Sequence, residues 1–443
     1  MADKVRPENA NRLAVVHGDC AGIDIGKTAH YAAVDPERFD KPVRSFGACT
    51  ADLEAMAEWL RGCGVRTVAM EATGVYWIPA FEVLDRAGFD VHLVDPRATK
   101  QVSGRKSDVL DCQWIRQLMS YGLLRGAYRV PDAVCPLRSY LRQRDELVRQ
   151  RSRAVHHVQK ALVQMNVQLD NVLSDVMGLT GQRIVRAIVA GERDGTVLAG
   201  FRDGRCRADE AAIAESLRGN WRDEHLFALG QALERHDALQ AQIAACEERI
   251  GAELDALARD DADDPPEDKR SRKGRDRKLR RKLKRMLGVD LVAIPTVGVE
   301  TALTIAAEVG ADLSRFPTSA HFCSWLGLAP GTRISGDKRL KGGARRQSNR
   351  VGQALRMAAT AARRDRSAIG SAHRRRLSRM DAAKAVKATA HQLARLVYVM
   401  MTRGEEYVAR DIAEWEAERR DRTIANLQRQ ARRLDLQLVA AAA

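Results

Sequence analysis

An aspartate stands inside an apolar run near the start of the chain, Gly22-Ile23-Asp24-Ile25-Gly26, and few positions constrain a fold more. A carboxylate in a buried strand loses several kcal/mol of hydration unless it is paired or bound to a metal. Asp24 therefore reads as a ligand. The wider segment, CAGIDIGKTAHYAAVD, has the pattern of two paired strands joined by a turn. An amphipathic helix at 51–62, a strand at 65–70, a helix in FEVLDRAG, a short strand at 91–95 and a helix beginning near Asp108 follow. Strands alternating with helices predict an α/β domain over residues 18–130, antiparallel strands first.

Three further acids have matching positions. Glu71 stands where the apolar strand VRTVAM ends in EATG, the strand edge at which open α/β sheets place functional groups. Asp108 and Asp111 lie three apart at the start of a helix and so project from one face. Either alone is an ordinary partner for a helix N-terminus. Together, Asp24, Glu71, Asp108 and Asp111 could hold one or two Mg²⁺ ions, hard cations that prefer oxygen ligands and bridge phosphates.

The chain has 443 residues, 30% of them charged, 5% aromatic, with a net charge of +16. That balance favours long solvated helices and polyanionic partners. No long apolar run or signal peptide is evident, so the expectation is a cytoplasmic, nucleoid-associated protein with no membrane partner. Eight cysteines without a CxxC pair support neither a zinc site nor a disulfide framework.

Beyond residue 130 the pattern is helical. Leu137, Leu141, Leu147, Val155, Val158, Leu162 and Met165 recur at helical spacing, as do Leu226, Leu229, Leu233, Leu239, Ile243, Cys246 and Ile250. Over 131–258 these predict an antiparallel or intermolecular coiled coil, or a plain helical hairpin. Arg138, Arg142, Arg149, Arg153 and Lys160 could track a phosphate backbone or be a solvated face. Residues 259–286, DDADDPPED and then a Lys- and Arg-rich block, read as a charged linker that binds nucleic acid without reading sequence. The 287–400 region opens with LVAIPTVGVETALTIAAEVG, laid out like a helix-hairpin-helix, with Thr296 where such turns usually have glycine. Residues 401–443 form a helical tail. Ser335 lies in a polar loop with Arg333, Lys338, Arg339, Lys341, Arg345, Arg346 and Arg350, cations suited to holding a phosphodiester, as is Lys106 beside the acids. Alone, it reads as a turn residue.

The order of GIDIGK, MEATGVYW, KSDVLDCQWI and, much later, IPTVG, SWLGLAPG and ISG resembles the DEDD-type insertion-sequence transposases, a group that includes related site-specific DNA invertases. The resemblance runs from about Gly22 to Arg364. It implies a RuvC-like N-terminal domain of RNase H fold whose four acids are Asp24, Glu71, Asp108 and Asp111. It also implies a helical C-terminal transposase domain in which Ser335 attacks DNA and forms a phosphoserine intermediate, with Mg²⁺ as cofactor. Donor and target DNA, a structured bridge RNA and assembly as homodimers or homotetramers are the implied partners. A junction-resolving nuclease using metal-activated water and a non-catalytic nucleic-acid scaffold are the competing readings. GIDIGKT also resembles the phosphate loop of actin-like ATPases, but the second half lacks the repeated D-x-G turn.

Overall fold

The apolar run around Asp24 is a strand, and its alternation assigns the two faces of a sheet. The structure is a computed structural model that describes residues 13–72, 74–99, 108–124, 126–259, 274–330, 333–335, 338–340 and 349–437. The chain divides into two units, Met1–Arg129 and Val130–Ala443. No helix among the described residues is long and apolar enough to cross a membrane.

The first unit runs β1 (Cys20–Ile25), β2 (Ala29–Ala33), β3 (Val43–Gly47), α1 (Thr50–Gly62), β4 (Thr67–Glu71), α2 (Trp77–Arg86), β5 (Asp90–Val94), α3 (Pro96–Thr99) and α4 (Asp108–Ser120). The sheet order is β3-β2-β1-β4-β5. The β1–β2 and β2–β3 pairs are antiparallel, whereas β4 lies parallel to both β1 and β5. Ala21, Ile23 and Ile25 of β1 bury one face against Leu53, Met56 and Leu60 of α1 and Phe81 and Leu84 of α2. Cys20, Ala69 and Val94 bury the other against Ile115 and Met119 of α4. Burying each large side chain of this kind contributes about 2 kcal/mol. The α/β expectation thus holds, and β3 is added to it. Its five residues bury only Phe46 fully, too few to mark a strand in the sequence.

The second unit runs α5 (Cys135–Gln164), α6 (Leu169–Val172), α7 (Leu179–Val189), α8 (Gly195–Ala199), α9 (Glu210–Ser216), α10 (Asp223–Ala256), α11 (Gly274–Leu287), α12 (Val299–Val309), α13 (Ser319–Trp325), β6 (Arg333–Ser335), β7 (Lys338–Leu340), α14 (Arg350–Ala361), α15 (Ala368–Leu377), α16 (Ala382–Arg403) and α17 (Glu405–Arg433). Helices α5 and α10 pair within the chain. Arg144 reaches Glu247 and Arg151 reaches Gln240, so one number rises as the other falls and the pair is antiparallel. Leu147 and Ala154 meet Leu239 and Ile243 along the seam. Short helices α6 to α9 close the far end over a separate core containing Leu169, Ile184, Ile188, Leu198 and Ile213.

Part of the expected charged linker, residues 274–287, is helical. They form α11, which buries Leu283, Met286, Leu287 and Arg280. The Arg280 guanidinium donates to Asp290 at 3.1, 3.0 and 2.5 Å, both side chains being almost fully buried. Residues 260–273 lie outside the described part of the chain.

The turn before α12 carries a conflict. Thr296 has φ of 73°, a left-handed conformation in which a β-branched residue is an outlier. Its buried hydroxyl has no hydrogen-bond partner among the described residues. Relieving both at once, Thr296→Gly should stabilise the second unit by about 1 kcal/mol. Thermal melting should show a rise of about 2 to 4 °C; a fall would mean that the threonine contributes packing that outweighs its strain.

Candidate active site

Two of the expected acids are brought side by side by strand register. In the parallel β1–β4 pair, Gly22 is opposite Ala69 and Ile23 opposite Met70, so the next residues along are Asp24 and Glu71. Ile23 and Met70 belong to the core under α1 and α2. By alternation Asp24 and Glu71 share the opposite face, where α4 lies. Both are half-buried near the C-terminal ends of their strands. Thr99, at the end of α3, places its hydroxyl 3.1 Å from Glu71 Oε2 and 3.0 Å from the Pro96 carbonyl, to which it can donate. Its own carbonyl accepts from Trp114 Nε1 of α4 at 3.1 Å. Thr99 therefore links Glu71 to α4, a role that the sequence reading did not assign.

Helix α4 brings the remaining pair. Asp108 is its first residue, placed by backbone alone, and Asp111 is half-buried one turn on. Burial pushes the Cys112 thiol up to about 12, and the negative charges of Asp24 and Asp111 add to that rise. One buried thiol thus feels an acid from β1 and an acid from α4. All are oxygen donors of the kind that suits a hard divalent cation. Among the described residues, however, no three metal-capable side chains stand close enough to hold an ion together. The side chain of Asp108 and the whole of Lys106 lie outside the described part.

Gly22 sets how closely α4 approaches. A Cβ at residue 22 would fall 2.3 Å from the Arg116 amide nitrogen and 2.4 Å from the Cys112 carbonyl oxygen. These are backbone atoms of α4 and cannot rotate away.

In the second unit, Ser335 is the last residue of β6, and its Cα is opposite that of Lys338 at the start of β7. Arg333 opens β6 and Arg339 follows Lys338 in β7, so the hairpin carries all three cations near the serine in sequence and register. Their side chains, and residues Lys341, Arg345 and Arg346, lie outside the described part. Asn349 caps α14 by accepting from the Gly352 amide at 2.9 Å. Arg350, next to that cap, pairs with Asp145 of α5 at 3.1 Å.

Along α5 the expected cations divide between a buried carboxylate and solvent. Arg138 donates to Glu308 of α12 at 2.9 Å, and Arg142 donates to both its oxygens at 2.8 Å. Arg149 pairs with Glu146. Arg153 and Lys160 are exposed. Burial alone would raise Glu308, but the hydrogen bond from Arg142 and the charges of Arg138, Arg142 and Arg350 outweigh it and hold the carboxyl below its ordinary value. Burial and the neighbouring Arg142 likewise hold Arg138 below the ordinary guanidinium value, since two arginines share one carboxylate.

A family model described as a transposase of the DEDD, IS110 type matches residues 21–167. A second, described as Transposase IS116/IS110/IS902 family, matches residues 290–374. The chain belongs to the IS110 family of transposases. The two matches together span just over half of it. All four acids fall in the first and Ser335 falls in the second. The chain is also 50% identical over 46 residues to an uncharacterised 43.6 kDa protein of insertion element IS110 from Streptomyces coelicolor, a stretch covering 10% of this chain and 11% of that relative. Helices α16 and α17 of this IS110-family chain lie outside both matched segments.

Two outcomes follow for this site. Gly22→Ala should force α4 away from β1 and cost about 1 to 3 kcal/mol in the first unit, as overpacked cores do; unchanged stability by chemical denaturation would mean that the helix yields freely. Glu308→Gln should cost about 2 kcal/mol at neutral pH, as loss of a charged hydrogen-bonded partner does. Because its folded pKa is depressed, that contribution is present above the ordinary carboxylate value and is lost as pH falls through the folded one. Denaturation curves of parent and variant should therefore draw together as pH falls below the ordinary carboxylate value, and a gap that stays constant into acid would remove the ion-pair account.

Proposed function

We propose that the chain is a DNA transposase that cuts and rejoins strands through a covalent serine intermediate, with a divalent cation held by its acids. The observation that carries the reading is the register that sets Asp24 beside Glu71 on the face covered by α4, the helix that begins with Asp108 and Asp111. The sheet order, three antiparallel strands followed by two parallel ones, supports a RuvC-like unit of the RNase H type. Family membership supports DNA as substrate.

In this reading Asp24, Glu71, Asp108 and Asp111 would hold one or two Mg²⁺ ions. When bound, the metal supplies positive charge to the phosphoryl oxygens. Thr99 orients Glu71 toward that task, and Gly22 keeps α4 close enough for Asp111 to share the face. Ser335 Oγ loses its proton and forms a bond to phosphorus as the bond to one deoxyribose oxygen breaks, and that oxygen takes up a proton, so no net proton is consumed. Rejoining reverses the step with a hydroxyl from another strand. Arg333, Lys338, Arg339 and Arg350 offer charge to the phosphodiester. Recognition of target DNA by a bridge RNA, and assembly into dimers or tetramers, are part of the proposal on the strength of the family alone. A base-paired guide would read sequence while the protein reads shape.

The test is a denaturation-resistant protein–DNA adduct. The purified chain, Mg²⁺, RNA from cells carrying the element and a plasmid bearing its ends would be combined and run on a denaturing gel. Asp24→Ala and Ser335→Ala should each lower the adduct at least about 100-fold. An adduct that persists in Ser335→Ala refutes the nucleophile. Cleavage without an adduct favours metal-activated water instead, and transposition that survives Asp24→Ala favours a scaffold. Sequencing the copurifying RNA tests guidance, which fails if no discrete structured species appears.

A further inference from the structure

A small cavity of about 190 Å³ lies where α15, α16 and α17 meet. Its wall carries Trp415, half-buried, with Arg375, Arg419, Arg422, Gln392 and Glu418. Ala368 and Ala372 of α15 leave the space open. Drug-sized pockets begin at about 300 Å³, so this one suits a single planar ring with its substituent outside.

The charges around it are unevenly matched. Arg419 donates to Glu416 at 2.8 Å and Arg422 to Glu418 at 2.9 Å. Arg375 donates to a neutral group, the Ser371 hydroxyl, at 3.0 Å. Partial desolvation at the cavity wall and the positive charges of Arg422 and Arg379 hold the Arg375 guanidinium below its ordinary value, against the opposing charge of Glu418. An anion would relieve that repulsion. Gln392 accepts from Arg376 at 2.7 Å through its Oε1, which leaves its amide N–H groups to offer. The surrounding segment, residues 363–379, has seven arginines and one aspartate, so the local field favours a polyanion.

An aromatic wall beside guanidinium groups and amide donors matches a ligand with a flat π-face and a negative charge one bond set away. Unpaired nucleotides have both, and a duplex keeps its bases stacked inside. We propose that this cavity binds one unpaired nucleotide of a nucleic acid strand, its base against Trp415 and its phosphate at Arg375 and Arg422. The site lies in helices outside both matched segments except for the start and middle of α15. It depends on no step of the strand-transfer chemistry.

The experiment measures binding of the full chain to short fluorescein-labelled single strands by anisotropy, at about 0.15 M salt. The probes are oligouridine, oligothymidine, an abasic strand of equal charge, and a duplex. Trp415→Leu should weaken the base-bearing strand about 10-fold, and Trp415→Phe should stay within about 3-fold of the parent, because any aromatic face can stack. Arg375→Gln, at an exposed position, should weaken binding and lower the salt dependence by about one phosphate contact. The abasic strand should bind parent and Trp415→Leu alike. Preference for uridine or thymidine assigns the site to RNA or DNA, and either result supports it. Equal binding of base-bearing strands by parent and Trp415→Leu overturns it, as does an equal loss on the abasic strand or a Trp415-dependent preference for duplex. The adduct assay reads none of these quantities, so failure here leaves the catalytic proposal standing.

Discussion

Helix α4 reaches the backbone of β1 because residue 22 has no side chain. Any Cβ there would meet peptide atoms of Cys112 and Arg116, which no rotamer change can move. The close approach has two consequences. Ile115 and Met119 come down onto the sheet beside Cys20, Ala69 and Val94, and the helix start brings Asp111 near the strand that carries Asp24. The same contact thus builds part of the core and the candidate site. Acids on a loosely packed helix would wander relative to the sheet, so the packing that builds the core also fixes where Asp111 sits.

The second unit uses a different device, buried carboxylates that hold one or two guanidinium groups. Asp290 receives Arg280 from α11, and Glu308 receives Arg138 and Arg142 from α5. Removing such charges from water costs several kcal/mol, and good geometry is needed to offset it. Asp290 meets that need with its remaining lone pairs, since its Oδ1 also accepts from the Val292 amide at 3.2 Å. The gain is positional. Glu308 ties α12 to α5 at a fixed point, where an apolar contact would allow sliding, and Asp290 ties α11 to the loop that follows it.

Legibility in the sequence followed the kind of signal each element leaves. Strands β1, β4 and β5 and helices α5 and α10 were readable because their apolar residues repeat at fixed spacing. Strand β3 buries one large side chain, and α6 to α9 are 4 to 11 residues long, so neither repeats often enough to be seen. Helix α11 was hidden by its composition, since Lys and Arg obscured Leu283, Met286 and Leu287. Asp24 and Glu71 could be singled out from their strands, but register alone revealed that they are adjacent. Gly22 did leave a trace, as an isolated glycine in a strand often marks close backbone approach. Thr99 and Trp415 left none, because their significance comes from helices distant in sequence.

Where the positive charge is left unpaired depends likewise on contacts between distant residues. Internal ion pairs remove one acid for every base, so they cannot reduce a net charge of +16; they only decide where the excess remains. Arg138, Arg142 and Arg280, conspicuous in sequence, are consumed by Glu308 and Asp290. Residues 363–379 have a single aspartate for seven arginines, and Asp365 spends its side chain on the Ser367 amide and hydroxyl at the start of α15. The carboxylates that face this segment from α17, Glu416 and Glu418, are engaged by Arg419 and Arg422, so the segment's own arginines remain in excess. Counterions condensed on a nucleic acid are released only where a protein presents cations that are not already paired. The electrostatic reach of this chain is therefore set less by its longest basic run than by the places where acids are missing.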